Sequence, residues 1–157
     1  MASPNTTFTT GQVLTSAQAN NFPFGVISRK YDTAATLNNS STAVQSFMSA
    51  TAFTPVAGRL YRCTYSIGAV TKITNNGNID ITMRKDSTAG AVLNTSVYSA
   101  LFGIQVPFST SILLTSTEMG TSSFTPFVCV QVNTVGLNVF NSATSPGTIL
   151  FEDIGLA

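Results

Sequence analysis

Apolar and polar residues alternate with a period of two along most of this chain. The clearest case is Leu60–Val70, where Tyr61, Cys63, Tyr65 and Ile67 alternate with Arg62, Thr64 and Ser66. That is the pattern of a strand with one buried face. Similar short runs are predicted at Val26–Tyr31, at Ser46–Phe53 with Phe47 and Phe53 as anchors, and at Ala91–Ser99 after a turn at Asp86–Gly90. Ile79, Ile81 and Met83 share one strand face, and the preceding Asn75-Asn76-Gly77-Asn78 reads as a tight hairpin turn. Two pieces, Gln105–Phe108 and Ile112–Thr115, come next. Phe124–Asn133 follows, with Val128, Val130 and Val132 on one face, and Leu137–Phe140 is expected to pair with it across Asn133–Gly136. Pro146-Gly147 turns the chain into a last strand at Thr148–Ile154. Helix competes with strand only at Ser41–Ala52 and ahead of residue 25. The reading is all-β and antiparallel, with about eight or nine strands at the spacing of a sandwich or barrel. Without βαβ alternation, no parallel α/β sheet is expected.

Ahead of the sandwich, residues 1–24 read as an arm and residues 25–157 as the β-domain. Thr15 or Ser16 can cap a short helix, which Asn20-Asn21 and Pro23 then stop. A helix this short is marginal in water by itself. Val13, Leu14, Phe22 and Phe24 are the expected anchors through which the arm docks on a neighbour.

Composition sharpens this picture. Charged residues make up 8% of the chain while hydrophobic residues make up 43%, so the chain has the apolar content of a folded domain. Threonine (24), serine (18) and asparagine (12) fill the gap, which suits strands and turns. A surface so poor in charge has little defence against self-association, which points to a fixed assembly and a homo-oligomer. The net charge of +1 favours no nucleic-acid partner. All seven basic residues lie at or before Lys85, and from Asp86 onward there are only acids. Such a split suits charge matching between subunits. No apolar h-region follows Met1-Ala2-Ser3-Pro4, so no signal peptide and no membrane partner are expected.

Candidate chemistry is sparse. Histidine is absent, which removes the Ser-His-Asp and Cys-His mechanisms and the commonest metal ligand. There is no P-loop and no Rossmann fingerprint, so no cofactor is expected. A glycosidase needs two converging carboxylates. Neighbours on one strand, Glu152 and Asp153 should face opposite ways. Arg59 and Arg62, and Arg84 with Lys85, read as solvated strand edges. Cys63 and Cys129 each lie in an apolar run and read as buried thiols, with pairing left to whether their strands are neighbours.

Three stretches carry a resemblance. Thr9–Pro23 is similar to the opening of small tailed-phage virion proteins of the minor tail or appendage kind, whose cassette has the form Gly-x-x-Leu-Thr-Ala-Ala-x-x-Asn. Phe53–Arg62 resembles the loop-to-strand entry of their sandwich domain, and Ile149–Gly155 their acidic close. The resemblance implies a jelly-roll-like β-sandwich of about eight strands and a non-enzymatic component of a virion, synthesised in the host cytoplasm and assembled from several copies, a trimer foremost. Partners would be other virion proteins of the tail, the portal region or the capsid. Two alternatives stand beside a tail or fibre appendage. One is a capsid decoration (cement or knob) protein. The other is a receptor-recognition tip for host-surface glycans, with the loops Asn38–Thr42, Thr74–Asn78 and Asn141–Gly147 and the rings of Tyr31 and Tyr98 as contacts.

Overall fold

A computed structural model describes residues 23–39, 41–134 and 136–157. The helix expected in the arm, and with it Val13, Leu14 and Phe22, lies outside the described residues. The described chain forms ten strands: β1 (Gly25–Asp32), β2 (Thr36–Asn39), β3 (Gln45–Ser49), β4 (Arg59–Lys72), β5 (Gly77–Lys85), β6 (Val92–Ala100), β7 (Val106–Thr115), β8 (Pro126–Val132), β9 (Leu137–Phe140) and β10 (Gly147–Leu156). One helical turn, α1 (Ser116–Met119), joins β7 to β8.

Strand order defines the architecture. One sheet runs β1-β10-β4-β7, and the other runs β3-β8-β5-β6, with every pairing antiparallel. Consecutive strands mostly cross between the sheets, and β5–β6 is a hairpin within one of them. This is the strand order of a jelly roll. The inward faces meet in one core. Tyr61, Cys63, Tyr65 and Ile67 of β4 and Ile149 and Phe151 of β10 oppose Ile79, Ile81 and Met83 of β5 and Val128, Val130 and Val132 of β8. The alternation in the sequence marks these positions correctly.

At 14 residues, β4 reaches roughly 45 Å and outruns β10. Beyond Ser66 its edge would lack partners, and β9 supplies them over Ala69–Lys72, with β2 alongside β9. The expected pairing of Leu137–Phe140 with Phe124–Asn133 is therefore incorrect. Satisfying the backbone groups of β4 takes β9 to the opposite sheet. Likewise, Asn75–Asn78 closes no hairpin. It carries the chain from one sheet to the other, and Gly77 needs no positive φ. The two pieces predicted at Gln105–Phe108 and Ile112–Thr115 are a single strand, and Ser41–Ala52 contains β3 rather than a helix. The short strand β2 was not expected.

The strands run between two ends. At the root end β1 and β4 begin and β7 and β10 finish; at the far end β1 and β4 finish and β10 begins.

Candidate functional site

Arg59 and Asp153 are both inward-facing positions of their strands, sharing the parity of Tyr61 and Phe151. At the root end they meet as a buried ion pair, 2% and 1% exposed. Arg59 donates through Nε to Asp153 Oδ2 at 2.9 Å and through Nη2 to Oδ1 at 2.6 Å. The Gly155 N–H adds a third bond to Asp153 Oδ1 at 3.0 Å, made possible by a bulge in β10 between Asp153 and Gly155. Paired, bidentate and further hydrogen-bonded, the two charges meet the conditions under which burial is tolerated.

Local sequence explains how β4 enters this position. Gly58 has φ +74°, a left-handed conformation suited to glycine. Its N–H donates to Ser116 Oγ at 2.9 Å, and its carbonyl accepts from Ala157 N–H at 2.9 Å. The C-terminal residue is thus tied to the entry of β4. Beneath the ion pair, Phe53 packs against Phe124 (4.9 Å between ring centroids), Phe151 (5.0 Å) and Tyr61 (6.2 Å). The α1 turn beside them is held by a capping box between Thr115 and Glu118. Hydrogen bonds from the Thr115 backbone and hydroxyl hold the Glu118 carboxyl below its ordinary pKa.

Phe24 completes the arrangement. It is 54% exposed, and its ring lies under the Arg59 guanidinium at 4.3 Å from the centroid. A cation–π contact thus fixes the chain just where it enters β1. Of the four expected anchors, Phe24 is the one the structure describes, and it sits against its own domain. The segments around Arg59 and Asp153, two of the three stretches singled out in the sequence, are paired strand to strand, and Phe24 follows directly on the third.

The sequence reading of Arg59 as a solvated strand edge is incorrect, because its parity aims it into the core and Asp153 compensates its charge. Arg62 does fit that reading: half exposed, it bonds Glu152 across the outer face at 2.9 Å, where solvent screens the pairing. Glu152 and Asp153 face opposite sides of the sheet, as expected.

The far end is closed differently. Buried Asn141 accepts from the Gly68 N–H at 2.9 Å and donates to Asp32 Oδ1 at 3.3 Å, while its backbone N–H donates to Ala35 O at 2.8 Å. Ser145 Oγ donates to Gly68 O at 2.6 Å. A Cβ on Gly68 would lie 1.9 Å from the Ser145 carbonyl oxygen, so only glycine fits there. Lys72 is also buried at this end and donates to Thr134 through its ammonium, which burial holds below the ordinary lysine pKa. Outside this knot, Ile73, Leu101, Phe102 and Ile104 are about half exposed. Their loops are joined, since Gly103 N–H donates to Lys72 O at 2.9 Å and Phe102 N–H to Asn76 Oδ1 at 2.6 Å.

The three loops expected to meet glycans all belong to this end, but Asn141 serves the knot and is not offered to solvent. Tyr98 is half-buried against Phe108 (6.3 Å, edge-on). Tyr31 remains open, 64% exposed on the outer face of β1. Cys63 points into the core from one sheet and Cys129 belongs to the other; both thiols are free and buried. Desolvation pushes both up, Cys129 to about 11. Among the described residues no three His, Cys, Asp or Glu gather to hold a metal, and no helix is long and apolar enough to cross a membrane.

No protein-family model and no curated protein sequence matches the chain. Among solved structures it is similar to a chain of infectious bursal disease virus, Gt strain, with 9% identity and a TM-score of 0.46 over 82% of this chain. It is similar also to the VP2 subviral particle of that virus, with 7% identity and a TM-score of 0.45 over 82% of this chain. This chain spans 38% of the length of each of them. A third likeness is the carbohydrate-binding module CBM6cm-2 of Cellvibrio mixtus lichenase 5A, solved with cellotriose. There the identity is 15% and the TM-score 0.33, over 86% of this chain and 92% of the module. The jelly-roll assignment rests on the strand order rather than on these distant likenesses.

Proposed function

We propose that this chain is a non-enzymatic structural protein on the exterior of a tailed-phage particle. It is fastened through the residues preceding Phe24 and works as a tail or fibre appendage component. The observation that carries this reading is the clamp at the root end. Phe24 on Arg59, Arg59 on Asp153 and Ala157 on Gly58 gather the start of the sandwich and its C-terminal residues at one place. A load on the preceding segment would therefore be passed to the two central strands β4 and β10 rather than to the edge strand alone. The 22 residues before Pro23, fully extended, span at most about 75 Å, enough to reach a neighbouring protein. Val13, Leu14 and Phe22 would then bind that neighbour.

The low charge and the exposed Ile73, Leu101, Phe102 and Ile104 support assembly with further copies, a trimer by the family resemblance. The test is deletion of residues 1–22. The remainder should fold, with a circular dichroism spectrum of β-type, yet fail to co-sediment with particles; normal incorporation would overturn the reading. Light scattering on the intact protein tests the assembly, and a monomer at high concentration would refute it.

A further inference from the structure

The outer face of the β1-β10-β4-β7 sheet holds a groove of about 470 Å³ beside the edge strand β1. It is lined by Arg29, Lys30 and Tyr31 of β1, Thr148, Ile149 and Leu150 of β10 and Thr64 of β4. Registry explains the grouping: Arg29 lies opposite Leu150 and Tyr31 opposite Thr148, while Leu150 lies opposite Thr64. Two positions apart on one strand, Arg29 and Tyr31 rise from the same face about 7 Å from each other.

The chemistry of the groove is specific. Neither the Arg29 guanidinium nor the Tyr31 hydroxyl bonds to any described residue. Lys30 pairs with Asp32 at 3.5 Å, and Arg62 with Glu152. Among the described residues, no carboxylate lines the groove. Its floor is a ladder of hydroxyls, with Thr64 bonded to Ser111 at 3.0 Å and Ser66 to Thr148 at 2.8 Å. Each hydroxyl keeps acceptor capacity for a further donor. An exposed tyrosine ring offers an apolar face with a polar tip, and an unpaired guanidinium recognises a planar anion through two parallel bonds.

We propose that this groove binds an anionic saccharide. A pyranose ring lies on Tyr31, its carboxylate or sulfate pairs with Arg29, and its hydroxyls meet Thr64 and Thr148. The site is on the flank of the sandwich, away from the root clamp, so it is independent of how the protein is fastened. A nucleic acid is disfavoured, because one unpaired arginine and one ring lack the series of phosphate contacts such a groove uses.

Isothermal titration of the full chain tests the proposal with four probes: an oligogalacturonate, a heparin-derived oligosaccharide, a neutral cello-oligosaccharide and a single-stranded DNA oligomer. The expected result is binding of the oligogalacturonate or the heparin fragment, which tells a carboxylate ligand from a sulfate one, weakened at least tenfold by Tyr31→Ala and by Arg29→Ala. Arg29→Lys should fall between, and Tyr31→Phe should retain most of the affinity. Val97→Ala, on the outer face of the other sheet, should leave it unchanged. The proposal is overturned if no probe binds, if the neutral sugar or the DNA binds as tightly as the acidic ones, or if Arg29→Ala and Tyr31→Ala leave binding intact. All of these side chains are exposed, and an unchanged circular dichroism spectrum separates lost binding from lost fold.

Discussion

The two ends of the sandwich solve one problem with different chemistry. Each must close a core whose inward-facing positions run out. The root end does so with a charged pair, Arg59 and Asp153, stacked on an aromatic cluster and covered by Phe24. The far end does so with a knot of hydrogen bonds in which neutral Asn141 ties the β1–β2 turn to Gly68. The root end thereby ties Phe24 and Ala157 to the start of β4. Both ends turn large apolar side chains outward, Ile73, Leu101, Phe102 and Ile104 at the far end and Phe24, Val26, Val56 and Leu156 at the root end. A charge inside the core thus takes a bidentate partner, whereas a neutral amide is held by separate single hydrogen bonds.

The contrast is sharpest where one charge is left alone. Arg59→Ala should destabilise the fold by about 3–5 kcal/mol, because Asp153 would remain buried without its partner. The double change Arg59→Met with Asp153→Leu should recover most of that loss. Urea unfolding of the three proteins checks both statements. If Arg59→Ala costs no more than an exposed substitution, the clamp is not what closes the root end.

Asn141→Ala should cost less, about 1–3 kcal/mol, since it strands the Gly68 N–H but no charge. The same unfolding series ranks it against Arg59→Ala. A larger loss than that of Arg59→Ala would reverse the comparison.

Acid distinguishes the far end further. Burial alone would raise the Asp32 pKa, but bonds from the Ala35 and Ala34 N–H groups, Asn141 and the Lys30 charge together hold it below 3.8. The fold thus favours the ionised carboxylate. Its contribution is complete above the unfolded-state pKa and is lost as pH falls below about 4 through the depressed folded value. Asp32→Asn should lower stability at neutral pH and flatten the decline below pH 4, measured by thermal unfolding between pH 2.5 and 7. An unchanged acid slope would remove Asp32 from the knot.

The smallest effect is expected at Phe24. Phe24→Ala removes one exposed cation–π contact, about 0.5–1 kcal/mol. Its mark should be protection rather than stability: backbone amides at the start of β1 should exchange faster with solvent while those of β4 do not. Equal exchange in the variant and the original protein would show that Phe24 does not fix the entry to β1.

Much of the root clamp was legible in the order of residues. Arg59 shares parity with Tyr61, Cys63 and Tyr65, and Asp153 shares it with Ile149 and Phe151, so both inward positions follow from alternation. What alternation lacked was a reason to place a charge inside: Arg59 alone reads as solvated, and Asp153 only as facing away from Glu152. Their pairing spans 94 positions, a distance at which no local pattern can act. The groove at Arg29 and Tyr31 was half visible, since Tyr31 stood out as a ring, while its neighbours Thr64 and Leu150 come from strands 33 and 119 residues away in sequence.

By itself the sequence determined most of the strands, their inward faces and the all-β class, because a period of two is a local property that each strand expresses alone. Tertiary structure decided which strands pair, and so sent Leu137–Phe140 to the opposite sheet and turned Asn75–Asn78 into a crossing between sheets. That choice depends on which long edge, here the far half of β4, still has backbone groups to satisfy. No residue carries that information singly, since it is set by the relative lengths of strands brought together from distant parts of the chain.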